Sequence, residues 1–385
     1  MRSFWILCLL LFGAVSCYGV EVSGYFEPQM GLGIVNDKFY QMNTNKLRVD
    51  LRYRPSDNLS FGANFDYIIY SGKTEWDVLD YIPKHLSESI PSEAKPYFRF
   101  RYRDRDFLDN AYLKLSFKRF DLTVGKQQIS LGTGYAWNPT DVFNIKDMMD
   151  PTYEQPGHNA LRLDVPIGLR YGFVLIYTPG EDWKGSGKLI RFKGKISHFD
   201  YSLILIDTKQ EYTDYLRFVS LWERRRVLGG DFAGELLGLG VWGEFAYNKM
   251  ERKEDFWEGV MGLDYTFEIG THFMVELYHN TSCKSDYERY DLNDWMSFLS
   301  SQSRSLSRDL LYLLVDHPLT DLIGASCSMI VSLSDGSFAL VPMLSYEIFE
   351  DMDLTLLGNL YIGREGKMFS GRLGNGLLIR ARIYF

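Results

Sequence analysis

Residues 47–54 read Leu47-Arg48-Val49-Asp50-Leu51-Arg52-Tyr53-Arg54. Leu47, Val49, Leu51 and Tyr53 fall on one side of an extended chain and the four charged side chains on the other, because successive side chains of a strand point to opposite faces. The pattern recurs. Phe61, Ala63, Phe65, Tyr67 and Ile69 alternate with Ser60, Gly62, Asn64 and Asp66, and Ile190-Arg191-Phe192-Lys193-Gly194-Lys195-Ile196 repeats it. So does the end of the chain, where Arg380 and Arg382 oppose Ile379, Ala381, Ile383 and Phe385. Period-two segments of about ten residues are the signature of transmembrane β-strands. A soluble sandwich would need both inner faces apolar, and these strands carry charge on one face throughout.

Turns and loops around these segments give the topology. Pro55-Ser56-Asp57-Asn58, Lys118-Arg119, Pro166-Ile167-Gly168, Ser197-His198 and Glu268-Ile269-Gly270 are short turns. Between them lie long polar segments: Ser71 to Pro96, Ser130 to Asn159, Thr208 to Glu223 and Ser282 to Ser307. Alternating tight turns and long loops is the asymmetry of an outer-membrane barrel. The reading is therefore all-β: a transmembrane, antiparallel, up-and-down β-barrel. The last strand must run back to the side on which the first begins, and this requires a strand at Asp309 to Asp316. The count is then about 18, with 16 the next choice, since such barrels have even strand numbers.

Composition fits. The 385 residues include 26 Phe, 26 Tyr and 8 Trp, suited to an apolar belt with aromatic girdles. With 42 Lys+Arg against 50 Asp+Glu the formal net charge is −8, which disfavours nucleic acid as a partner. After the first residues no run approaches the length of a membrane-spanning helix. Met1-Arg2-Ser3, the apolar run Phe4 to Val15 and the small residues Ser16, Cys17 and Gly19 have the layout of a secretory signal peptide. We expect a signal over 1–19 and the barrel over 20–385; an N-terminal anchor, and cleavage after Ser16, are the alternatives. Cys8 and Cys17 would leave with the signal. Cys283, in a polar loop, and Cys327, facing outward from a strand, are expected to stay unbonded.

Three stretches carry a family resemblance. Ile379-Arg380-Ala381-Arg382-Ile383-Tyr384-Phe385 resembles the terminal assembly signal of Gram-negative outer-membrane barrels, which implies recognition of Phe385 by the barrel-assembly machinery. Val124-Gly125-Lys126-Gln127-Gln128-Ile129-Ser130-Leu131-Gly132, followed by Asn138-Pro139-Thr140-Asp141-Val142-Phe143-Asn144, resembles a stretch of porin-like families, including the alginate-export type. Leu131 stands where those families usually have Trp. Ser334-Asp335-Gly336-Ser337 is similar to a turn in the same group. The resemblance implies a porin in the outer membrane of a Gram-negative-type bacterium, in contact with its lipid and lipopolysaccharide.

The inward rows are rich in cations. Alternation sends Arg48, Arg52, Arg99, Arg101, Arg103, Arg162, Arg170, Arg191, Lys193, Lys195, Arg380 and Arg382 toward the lumen or its mouth. Inward acids are Asp50, Asp66, Asp164, Glu244, Asp264, Glu276 and Glu347. Basic rings in a narrow pore favour anions, so passive diffusion of small hydrophilic, anionic solutes is expected. Lumen charge that only hydrates the interior is the plainer reading. Ser130 to Asn159 is the third extracellular loop, which in general porins folds inward. Its acids Asp141, Asp147, Asp150 and Glu154 would then face an arginine wall across a constriction. Tyr97 to Arg105 reads as an extended strand protruding beyond the bilayer, with a bend between Asp106 and Asn110.

Nothing marks an enzyme. The six histidines form no metal spacing, and no cofactor is expected. His279 and Ser282 are three apart, so an extended strand sends them to opposite faces. Export of an acidic polysaccharide, transport of apolar compounds and a non-conducting structural or adhesive barrel are the competing functions. Monomer and homotrimer both stay open.

Overall fold

The computed structural model describes residues 19–385 apart from 151–152, 216 and 218; the expected signal segment falls almost wholly outside them. Eighteen strands form one closed antiparallel sheet. In chain order the strands are β1 (Val20–Val35), β2 (Lys38–Ser56), β3 (Leu59–Gly72), β4 (Glu75–Asp77), β5 (Arg99–Arg101), β6 (Arg105–Ser116), β7 (Asp121–Gln128), β8 (Gly157–Ile167), β9 (Tyr171–Thr178) and β10 (Gly187–Ile196). There follow β11 (Phe199–Asp214), β12 (Val219–Leu236), β13 (Leu239–Met250), β14 (Phe256–Thr266), β15 (His272–Asn280), β16 (Asp309–Pro318), β17 (Ile323–Ser332), β18 (Phe338–Phe349), β19 (Met352–Ile362) and β20 (Asn375–Tyr384). β4 and β5 pair only with each other, inside the second loop. The strand expected from direction alone, Asp309 to Asp316, is β16.

Each barrel strand pairs with the next, and β20 returns to β1 with Gln29 opposite Arg380. Phe385 extends the seam: its N–H donates to the Gly24 carbonyl at 3.1 Å, and its carbonyl accepts from the Gly24 N–H at 3.0 Å. Closure removes every sheet edge, the condition for strands to lie in hydrocarbon. The outward rows are apolar, as at Leu203 and Leu205 on β11, Leu228 on β12 and Met261 on β14, all well exposed. With both lone edges gone and an apolar exterior, the barrel is a membrane-spanning one.

Three local expectations change. Thr208 to Glu223 is not a loop, because β11 and β12 continue through most of it, with Lys209 opposite Arg224 and Tyr212 opposite Leu221. A strand above the bilayer needs no apolar outer row, so its polar composition looks loop-like. Tyr97 to Arg105 does not run straight: Lys95–Phe98 is a 3-10 turn and Phe98 is buried. The second loop doubles back, so β5 finds its partner in β4. The bend does occur, as a bulge that leaves Asp109 between the pairs Asn64–Asn110 and Phe65–Leu108.

The interior also differs. The inward row is apolar over much of β9–β18: Val174, Ile176, Leu189, Ile204, Val227, Val260, Met274, Leu310, Tyr312 and Ile330 are buried. Two clusters use this wall. One joins β8–β13 to Ile129, Leu131, Val142 and Phe143 of the third loop. The other joins β13–β18 to Ala136 and Trp137 of that loop, to the second loop, and to Trp295 and Met296 of helix α2 (Leu292–Leu299; α1 is Lys84–Ser89). Eighteen strands enclose more space than their own side chains fill, and the loops that enter need apolar surface to pack against.

Candidate solute pathway

The described residues between β7 and β8, Ile129 to Asp150 and Tyr153 to Gln155, reach from one side of the barrel to the other. Two carboxylates on the far wall hold it. Glu276 of β15, fully buried, accepts the Ala136 and Trp137 N–H groups on Oε1 at 2.9 and 3.0 Å. Its Oε2 accepts the Tyr135 N–H and the Trp242 indole N–H, each at 2.6 Å. Glu244 of β13 accepts Thr140 N–H and Oγ1–H on Oε1 at 2.6 and 2.7 Å. Its Oε2 accepts Thr133 and Gly134 N–H at 3.0 and 3.3 Å. Successive amides pointing inward form an anion nest. Gly132 makes the approach possible: it sits at φ +83, and a Cβ there would run into the Glu244 carboxylate. Trp137 then stacks on Tyr278, centroids 5.1 Å apart.

A second tie sits behind the first. Glu258 of β14 receives Arg304 Nη1 at 3.0 Å, Arg225 Nη2 at 3.3 Å and Tyr278 OH at 2.9 Å. Arg304, from the loop after β15, also donates to the Asp141 carbonyl. The loops on this side are thus bound to the wall and to each other.

The opposite wall, β20 through β8, is charged. Lys46, Arg48, Asp50 and Arg52 project from β2, Asn64 and Asp66 from β3, and Arg162 and Asp164 from β8. The third loop reaches this wall at its end. Glu154 meets Lys46 at 2.8 Å, Arg48 at 3.1 Å and Tyr25 OH at 2.8 Å. Burial would raise the Glu154 carboxyl, but the Lys46 ammonium, with Tyr25 and Arg48, holds it below the ordinary carboxylate range. Asp150 pairs with Arg380. Asp141 and Asp147 turn away from the wall. Asp141 accepts the N–H groups of Phe143 and Asn144 at 3.0 and 3.1 Å, fixing the Asn138–Asn144 turn, and Asp147 accepts the Met149 N–H at 2.9 Å. Burial raises both carboxyls.

The cations expected at the lumen divide into groups. Arg48 lies within 4.0 Å of Asp50, Asp66, Asp109 and Glu154. Arg380 and Arg382 share Glu27, Arg191 pairs with Asp231 at 3.2 Å, and Arg162 pairs with Asp164 at 2.7 Å. Arg52 and Lys193 have no carboxylate within ion-pair distance among the described residues. Lys195 stands near the turn with Asp200 at 3.6 Å. Arg99 and Arg101 lie on β5, opposite Asp77 and Glu75, not on the barrel wall. Arg103 is exposed in the second loop, and Arg170 is exposed in the β8–β9 turn. Alternation had been carried past the ends of the strands in these four cases.

Two cavities lie along the charged wall. One, about 550 Å³, is lined by Arg48, Arg52, Asn64, Asn110, Gln127 and Arg162 among others. The other, about 380 Å³, lies toward the loops and is lined by Gln29, Tyr40, Trp76, Tyr81, Phe100 and Tyr102. Tyr40 meets Trp76 edge-on at 4.7 Å.

Among the described residues no cluster of His, Cys, Asp and Glu has metal-holding geometry. His279 stacks on Trp257 at 4.4 Å and pairs with Asp309 at 2.6 Å, while the Ser282 hydroxyl donates to Asn280. Cys283 and Cys327 are free.

No family model and no curated protein matches the sequence. Solved structures do match in fold. OccK9 (OpdG) of Pseudomonas aeruginosa superposes with TM-score 0.59 at 8% identity, covering 95% of this chain and 98% of that one. OccK11 (OpdR) of the same organism gives 0.57 at 11%, with 95% of each chain covered. A BenF-like porin from Pseudomonas fluorescens Pf-5 gives 0.56 at 8%, with 95% and 98% covered. The chain has the 18-stranded porin fold.

Proposed function

We propose that the protein is an outer-membrane channel for passive diffusion of small hydrophilic solutes, with a preference for anions. One observation carries the reading: the third loop is bound to the apolar wall through Glu276 and Glu244, and cavities of about 550 and 380 Å³ lie along the charged wall opposite it. A solute would enter by the aromatic cleft, pass the Arg48–Glu154 contact and descend along Arg52 and Arg162. A water-excluding wall opposite a charged strip focuses the field on that strip. Asp50, Asp121 and Asp164 line the lower cavity, but each has a cation beside it, Arg48, Lys114 and Arg162 respectively. Of the residues that line this cavity, Arg48, Arg52, Lys114 and Arg162 outnumber the three acids, and Arg52 has no carboxylate within ion-pair distance among the described residues, which supports a modest anion preference. A lumen this filled does not favour passage of a polymer. Reversal potential of the refolded protein in a planar bilayer under a salt gradient tests the proposal. Anion preference is expected; cation preference would overturn the selectivity, and absence of conductance the channel itself.

A further inference from the structure

We infer that the lipid-facing side of β10–β13 is a binding site for the phosphate-bearing headgroup of a membrane lipid. The site is a cross-strand row. Lys188 on β10 stands opposite Asp207 on β11, Asp207 opposite Arg226 on β12, and Arg226 opposite Lys249 on β13. One register nearer the loops, Lys209 opposes Arg224. Strands are spaced about 4.8 Å apart, so the first row is about 14 Å wide.

The face is fixed by what lies beneath. Two residues along each strand toward the short turns, and therefore on the same face, Ile190, Leu205, Leu228, Tyr247 and Trp257 form an equally continuous row. Leu205 and Leu228 are 54% and 58% exposed, as acyl chains would require. Tyr247 and Trp257 belong to the aromatic girdle that marks the edge of the hydrocarbon. The cations stand immediately above that edge.

Five cations, Lys188, Lys209, Arg224, Arg226 and Lys249, share the row with Asp207, and Glu211, Glu251 and Asp255 stand at its loop side, Glu251 acting on Arg224 and Asp255 on Lys249. Asp207 is taken by Arg224, with Nε at 2.7 Å, and lies 3.8 Å from Arg226. Lys188 rests over the Trp183 ring at 4.1 Å. Lys188, Lys209 and Lys249 have no carboxylate within ion-pair distance among the described residues. Elsewhere on this rim the outward positions are mostly uncharged, either apolar, as at Ile34, Ile69, Leu161, Ile362 and Leu377, or neutral polar, as at Gln41, Asn43, Asn159 and Asn375. No other run of four adjacent barrel strands among the described residues carries such a row. An amphiphile with acyl chains against the apolar row would bring its phosphate to the cations, where arginine forks and ammonium groups are matched to it.

The inference rests on the membrane-spanning reading, and conductance of the same preparation separates the two. The full chain, refolded in detergent, is titrated with bis-phosphorylated lipid A and with the dephosphorylated lipid while bound copies are counted by native mass spectrometry. Wild type is expected to retain the phosphorylated lipid. Lys188→Gln/Arg226→Gln/Lys249→Gln is expected to bind it about a hundredfold more weakly, at about fivefold per cation, with unchanged conductance because these residues face away from the lumen. Equal retention by both proteins, or equal retention of the dephosphorylated lipid by wild type, would sink the site. Should the triple variant not refold, Lys249→Gln alone, at an exposed position, reads the same effect at about fivefold.

Discussion

Glu276 is an acid in an apolar row. On β15 its inward neighbours are Met274 and Tyr278, and on β13 Glu244 stands between Trp242 and Ala246 in the same way. A buried carboxylate is tolerated only when its oxygens are fully engaged, and here three backbone amides and an indole engage Glu276. Glu276→Gln keeps the shape but turns charge-assisted bonds into neutral ones and presents an amide N–H to other donors. The expected loss is about 3 kcal/mol of barrel stability, read as a lower urea midpoint for refolded protein in detergent, with noisier single-channel current as the third loop loosens. An unchanged midpoint would mean the ties contribute little. The direction of both acids is legible in the alternation. Their task is not, because amides of a loop far away in sequence leave no pattern. The usable signal is the apolar company they keep: a lone inward acid between buried neighbours marks a tie, while one inside a run such as Arg48-x-Asp50-x-Arg52 marks a wetted wall.

The third loop is an element with two ends and two kinds of contact. Its first half, through Trp137 and Thr140, is buried against β13 and β15. Among the described residues its second half meets the charged wall through Asp150, Glu154 and the Gln155 carbonyl, at the edge of the open space. The two halves should therefore respond differently to removal. Deleting Met148 to Gln155 leaves the buried ties intact and takes away the part that narrows the charged side, so single-channel conductance should rise, by about twofold if the two cavities then merge freely. No change would mean the free space lies elsewhere. The expectation of an inward course comes from the likeness to general porins, whose third loop folds inward, with an ordinary surface loop the alternative. The roles of its acids were only half legible: Asp150 and Glu154 lie in the segment that reaches β1, β2 and β20, whereas Asp141 is spent on the Asn138–Asn144 turn, as Asp often is when its own following amides are within reach. The long β11–β12 hairpin was misread for a related reason: composition reports the solvent around a strand, and above the bilayer a paired strand and a loop meet the same water.

At the scale of the whole barrel the lumen is divided. From β9 to β18 it is a protein core, closed by loops; from β20 to β8 it is a strip of ion pairs beside free space. Period-two alternation predicts which side chains face inward but says nothing of whether inward means water or loop, so the barrel could be read from the sequence while its half-filled interior could not. The division separates lumen cations into those that hold structure and those that meet solute. Arg48 is buried among four carboxylates, and Arg48→Gln would leave Lys46 as their one close cation among the described residues, a change read first as lost stability. Arg52 lies on the same row four residues further from the loops, with no carboxylate within ion-pair distance among the described residues, and lines the lower cavity. Arg52→Glu changes the local charge by two without breaking an ion pair. Its barrel should refold with wild-type thermal stability, and its reversal potential should move toward cations, more than twice as far as that of Arg382→Gln, whose charge is already matched by Glu27. If the two shifts stand in the two-to-one ratio of the charge changes, the field is set by the summed charge of the wall. If only Arg52→Glu shifts it, selectivity lies in the unpaired cation, as the arrangement of ion pairs along β2 and β20 requires.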